Sequence, residues 1–137
     1  MKISFEKIQA VVLFVSGTLL ALVGAAIITS PAAFFGSNSI ELGQNISLLN
    51  ELKAPAGLLL AAGIIMIIAV FREKHYNFAL GLSALIYLSY AAGRTMSMVV
   101  DGAPASGLVL AAVLEAAIGL ACLLVIQSRR APATKLA

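Results

Sequence analysis

The apolar residues of this chain are gathered into four stretches, at residues 8–28, 54–71, 76–100 and 107–126, and any fold has to accommodate that spacing. As a helix rising about 1.5 Å per residue, the first stretch extends about 31 Å, matching a bilayer hydrocarbon core of roughly 30 Å. The other three are of comparable length. Water is excluded as the solvent for such helices by what remains: only 11% of the residues are charged and 61% are hydrophobic, where a soluble domain carries about 25% charged residues. With a mean hydropathy of +1.05 over 137 residues, the pattern predicts an all-α integral membrane protein, a four-helix bundle forming one transmembrane domain over 1–137.

The connections set the expected topology. Lys2 and Lys7 precede the first span. A basic start and a small-residue patch at Pro31-Ala-Ala33 also fit a cleaved signal peptide, but the apolar run exceeds the roughly 7–15 residues of a signal core. Gly17 and Gly24 flatten one stripe of this helix and permit close packing against a neighbour. Residues 29–47 are expected to form a loop, with a short interfacial helix anchored by Phe34 and Phe35. Asn45-Ile-Ser47 matches a glycosylation sequon. Pro55 suits the first turn of span two, with Glu51 just before it facing the positive end of the helix dipole. In a second reading, Glu51 and Lys53 reach inward instead. The four residues Arg72-Glu-Lys-His75 make spans two and three antiparallel neighbours, and Asp101-Gly-Ala-Pro104 is a turn. Seven of the nine basic residues (Lys2, Lys7, Arg72, Lys74, Arg129, Arg130 and Lys135) then fall on one side. The positive-inside rule places that side, with both termini, in the cytoplasm.

The sequence also carries a hint of internal duplication, although membrane helices rich in Ala, Leu and Gly resemble one another by chance. Ala54-Pro-Ala56, Gly57-Leu58 and Ala61-Ala62 align with Ala103-Pro-Ala105, Gly107-Leu108 and Ala111-Ala112 if one residue is inserted. The halves would be two parallel helical hairpins.

Inside this apolar frame stands Arg94, which on insertion scales costs roughly 2.5–3.5 kcal/mol at a membrane centre and so calls for a partner or a task. Positions 87, 90, 94, 97 and 101 share one helical face. Arg94 is about 9 Å below the outer end of span three and Glu115 about 12 Å below that of span four. Joined by a short turn, the two are expected to pair at matching depth. Glu51 would complete the cluster, Tyr87 and Tyr90 would donate hydroxyl hydrogen bonds, and Lys53 and Asp101 belong to the same outer half. Three uses compete: an ionic tie that fixes helix register, a small outward-facing pocket with Arg94 as hook for a polar or anionic head group, and proton handling by Glu115. Small neighbours (Ala111, Ala112 and Gly119) allow either tight packing or a cavity.

Other chemistries find no support. One His (His75) and one Cys (Cys122) give no metal-ligand spacing and no intrachain disulfide. No cofactor is expected, and no nucleophile–base arrangement or phosphate loop is present, so catalysis by this chain alone is not expected. The net charge of +3 is accounted for by the anchors at span ends, which removes the case for nucleic acid.

Three elements, Asn50-Glu-Leu-Lys-Ala-Pro-Ala-Gly57, Gly93-Arg94-Thr-Met-Ser97 leading to Asp101-Gly-Ala-Pro104, and the lone Glu115, make the chain resemble a family of small bacterial four-span proteins of unknown function related to the DoxX-like membrane proteins. The resemblance implies a four-helix bundle in the inner membrane. Some DoxX-like relatives are subunits of membrane oxidoreductases, but no redox residue here carries that role over. The expected function is a non-enzymatic multi-pass inner-membrane protein. Its Arg94/Glu115/Glu51 cluster would bind a small polar ligand or lipid head group, or dock a membrane partner or a second copy. The alternatives are an oligomeric small-solute or proton-coupled transporter, disfavoured by an uncharged first span, and an accessory subunit of a membrane oxidoreductase.

Overall fold

The computed structural model describes residues 5–130, so the expected anchors Lys2 and Lys135 lie outside the described residues. Among the described residues, five α-helices occur in the order α1 (Phe5–Thr29), α2 (Pro31–Gly36), α3 (Ile46–Ala69), α4 (Tyr76–Asp101) and α5 (Ser106–Arg130), with a 3₁₀ turn at Glu73–His75 before α4. No strand occurs among the described residues. The four long helices lie close to the expected spans, and α2 is the expected short helix carrying the phenylalanine pair. Pro31 opens α2 at a position where a missing N–H costs nothing. Gly102, at φ 100°, ends α4 in a conformation that disfavours a side chain.

The exception is α3, which begins eight residues before the expected start of span two. Asn45 caps it, its Oδ1 accepting from the Leu48 N–H at 3.1 Å, so the residue read as a loop sequon starts a helix. Pro55 therefore lies inside α3 rather than in its first turn, and the hydrogen bond that the Glu51 carbonyl would receive from residue 55 is lost. Glu51 is likewise not at the N-terminus of the helix dipole. The two prolines of the apparent repeat also play different parts, because Pro104 lies in the turn before α5 while Pro55 is within a helix.

The helices associate mainly as two pairs, α1 with α3 and α4 with α5. Glycine makes the first pair close. A Cβ on Gly63 would stand 2.5 Å from the Ala21 nitrogen and 2.6 Å from the Gly17 carbonyl oxygen, and one on Gly24 would stand 2.7 Å from the Ala56 oxygen. The stripe expected from Gly17 and Gly24 is thus met by a third glycine on α3, and main chain touches main chain. In the second pair, Cys122 Sγ donates to Ser83 Oγ at 3.3 Å, Leu88 fills the space beside Gly119, and Arg94 meets Glu115. The residue numbers rise on α4 as they fall on α5, so the two run antiparallel along their length. Helices α3 and α4 do touch, but each has its main partner elsewhere, because the glycines direct α3 onto α1 and α4 onto α5.

Leu13, Met66, Leu80 and Cys122 are fully enclosed and form the core, with Tyr76 and Tyr87 at its edges. It occupies the half of the bundle away from α2. Gln9 is also fully buried there, its amide without a partner among the described residues. Three helices, over Glu6–Thr29, Ile46–Ala69 and Ser106–Ser128, are long and apolar enough to cross a membrane, and in each no more than 33% of the most apolar window is buried within the molecule. Their outer faces carry Val11, Leu22, Leu58, Ile68, Val113 and Leu124 in the open, so lipid is the solvent these faces fit. Helix α4 is as long but less apolar, being interrupted by Ser83, Ser89, Arg94, Thr95 and Ser97.

Candidate functional site

Between Arg94 and Glu115 lie seven residues of α4, the short 102–105 turn and the first turns of α5. Antiparallel packing brings the two side chains together, as their depths predict. Arg94 Nε–H is shared between both carboxylate oxygens, at 3.2 Å to Oε1 and 3.0 Å to Oε2. The side chains are 31% and 16% exposed. Both terminal amino groups of the guanidinium make no further hydrogen bond to the described residues. Its remaining donors are therefore available for something other than Glu115.

Tyr90 lies one turn from Arg94, half-buried, and its hydroxyl makes no hydrogen bond to the described residues. Tyr87 is buried and already committed, donating from its hydroxyl to the Ser16 carbonyl of α1 at 2.7 Å. It closes the floor of the site instead of donating to the cluster.

Glu51, Lys53 and Asp101 are not brought to Arg94. Leu52, Pro55, Ala56 and Leu59 make up the inward stripe of α3, so Glu51 and Lys53, one residue to either side of Leu52, are swung about 100° away and are exposed. The close packing of Gly63 and Ala56 against α1 sets this phase. Asp101 is two turns beyond Arg94 and exposed, where it accepts from Ser97 Oγ at 2.9 Å. The site is therefore a two-residue ion pair with two tyrosines, not the five-charge constellation expected.

Two hollows meet at this pair. A cavity of about 380 Å³ is enclosed by all five helices, with Leu20, Leu59, Ile86 and Tyr87 on its walls and Arg94 and Glu115 at one side. Phe34 and Phe35 of α2, packed edge to face at 5.3 Å, also line it and form its roof. A more open groove of about 510 Å³ runs outside α4 and the start of α5, past Ser89, Gly93, Ser97 and Pro104. Arg94 and Tyr90 belong to both hollows. They are the partition between a nearly all-apolar interior and a more polar exterior groove.

The charged pair was legible in the sequence, and a pocket beside it was one of the expected uses, but the apolar walls of the cavity were not legible. The residues that α1 and α3 contribute to its walls, from Leu19 and Leu20 to Ala56 and Leu59, are all apolar, so none of them marks a hollow. The signals were the small residues beside Glu115 and the phenylalanine pair in an otherwise polar connection. Beside Glu115, Ala111 lines the cavity whereas Gly119 is filled by Leu88, so the small residues of α5 serve both uses. No group of three metal-binding side chains occurs among the described residues.

A family model for a domain of unknown function, DUF4345, matches residues 8–126. No curated protein and no solved structure matches the chain.

Proposed function

The chain belongs to the DUF4345 family, whose function is unknown, and we propose that it is a non-enzymatic binding protein of the bacterial cytoplasmic membrane, with its ligand site at the Arg94–Glu115 pair. In this reading α4 is a fourth span. It lies antiparallel along α5, with contacts at Ser83–Cys122, Leu88–Gly119 and Arg94–Glu115, and α5 is itself apolar enough to cross the bilayer. A helix packed antiparallel against a span shares that span's surroundings where the two touch. In the same proposal, the positive-inside rule supports a cytoplasmic 70–75 connection and cytoplasmic termini, with α2 outside. Kinship with the DoxX-like membrane proteins belongs to the same proposal.

One observation carries the binding role: Arg94 gives Glu115 only its Nε–H, while the rest of the guanidinium stands at the boundary of a 380 Å³ cavity. A purely structural tie would gain most from the bidentate fork that uses Nη as well. The volume is at the small end of the roughly 300–1,000 Å³ typical of ligand sites. Native mass spectrometry of protein extracted from its own membrane, wild type against Arg94→Ala, tests the proposal. A bound small molecule present in the wild type and lost in the variant is the expected result. The same mass in both would reduce Arg94 to a tie between α4 and α5.

A further inference from the structure

The walls of the cavity say what kind of molecule it takes. Resting on the binding role above, we infer that the ligand is an uncharged, single-chain amphiphile with a carbonyl or hydroxyl end, drawn from the lipid phase. Three features lead there, and none of them requires Arg94 to be an anion hook.

First, the charges that line the two hollows are Arg94 and Glu115 alone, and they already neutralise each other at 3.0 Å. A carboxylate or phosphate brought to Arg94 would add an unbalanced negative charge beside Glu115 in surroundings of low dielectric, which is costly. Lys53, the nearest basic residue in the sequence of the opposing wall, is exposed and lines neither hollow. A neutral oxygen accepts from the free guanidinium N–H groups at no such cost, and a hydroxyl can also donate to Tyr90 Oη or Glu115.

Second, everything beyond that polar edge is hydrocarbon or aromatic, from Leu20 and Leu59 to the Phe34–Phe35 roof. At roughly 30 Å³ for a water-sized group, 380 Å³ holds about a dozen such groups. That corresponds to a chain of about ten carbons with its head.

Third, the cavity has a side opening. Leu19 and Val23 of α1 and Leu114 of α5 line it and are nevertheless exposed on the outer surface of the molecule. The contacts between α1 and α5 are sparse compared with those inside each helix pair. The gap faces the direction in which these helices meet lipid, so an apolar molecule reaches the cavity without crossing water.

Four ten-carbon probes separate the possibilities: 2-decanone, 1-decanol, decanoate and decane. Each is added to the full chain in lipid nanodiscs, and binding is followed by native mass spectrometry and by thermal unfolding. Decanone and decanol are expected to bind about tenfold more tightly than decane, the worth of one hydrogen bond to a charged donor, and about tenfold more tightly than decanoate. Arg94→Ala should bring the two neutral probes down to the level of decane. Ala111→Phe, which fills the cavity from α5 and leaves the ion pair in place, should abolish all binding. Decanoate binding best, with loss in Arg94→Ala, would overturn the neutral-head inference and leave the binding role standing. No probe responding to either substitution, together with no native ligand dependent on Arg94, would overturn both.

Discussion

Tyr87 Oη donates to the main-chain carbonyl of Ser16 at 2.7 Å, across 71 residues of sequence, and so joins α4 to α1 at the floor of the cavity. The two helix pairs are each held together by close packing, but between them the contacts are fewer. A buried hydrogen bond there does more to set the spacing of the pairs than it would within one of them. Tyr87→Phe keeps the ring and removes the donor. It should lower stability by about 1 kcal/mol, read as an earlier midpoint of denaturant-induced unfolding in micelles. An unchanged midpoint would mean that ring packing alone holds the pairs apart.

Arg94→Ala and Glu115→Gln should each destabilise the fold, and the double variant should cost less than the sum. The pair is about a third exposed on the arginine side, so the coupling is expected at about 1 kcal/mol rather than at the larger values of fully buried ions. Strict additivity in the four-variant unfolding cycle would show that the two side chains do not act together.

The meeting of Arg94 and Glu115 was legible because it follows from arithmetic: two antiparallel helices, a short turn, and similar distances from that turn. Glu51 and Lys53 were misplaced for an equally physical reason. Pro55 reads as a helix start, and the apolar run begins beside it, yet Asn45 caps the helix well upstream, so both charges belong to the helix and fall to either side of its inward stripe. A proline inside a membrane helix is tolerated where neighbours compensate, so it is weak punctuation in such a chain. Whether a cavity or tight packing stands beside the pair was not decided by the sequence, because it is a property of spacing between helices. Alternation of Leu, Ala and Gly looks alike in a filled interface and in a hollow one, and only the fit of Gly63 against Gly17, or of Leu88 against Gly119, tells them apart.

Glycines on one helix should therefore respond in opposite ways. Gly63→Ala puts a methyl group into the main chain of α1, where neither Ala21 N at 2.5 Å nor Gly17 O at 2.6 Å can yield. A loss of about 1–3 kcal/mol or more is expected as α1 and α3 are forced apart. Gly57, six residues earlier on α3, has nothing within 4 Å of such a methyl group. Gly57→Ala should be neutral or stabilise by about 0.5–1 kcal/mol through helix propensity. Unfolding midpoints of the two variants side by side check this, and equal effects would contradict the close α1–α3 contact.

Whether α4 is a fourth span can be read from which side of the membrane each connection faces. Cys122 is fully buried and lies against Ser83, so Cys122→Ser supplies a thiol-free background with little change in volume. Two single cysteines then mark the connections: Ser37→Cys after α2 and His75→Cys before α4, both at exposed positions. If α4 spans the bilayer with the basic connection in the cytoplasm, a membrane-impermeant maleimide applied to intact cells should label position 37 and not position 75. After permeabilisation both should react. A third cysteine at Ala103, in the exposed turn between α4 and α5, decides the span itself. Labelling of Ala103→Cys from outside, alongside position 37, places α4 across the membrane, because positions 75 and 103 then lie on opposite sides. Labelling of 103 only after permeabilisation would leave α4 on the cytoplasmic side and overturn the proposal that the Arg94–Glu115 site belongs to the outer half of a four-span bundle.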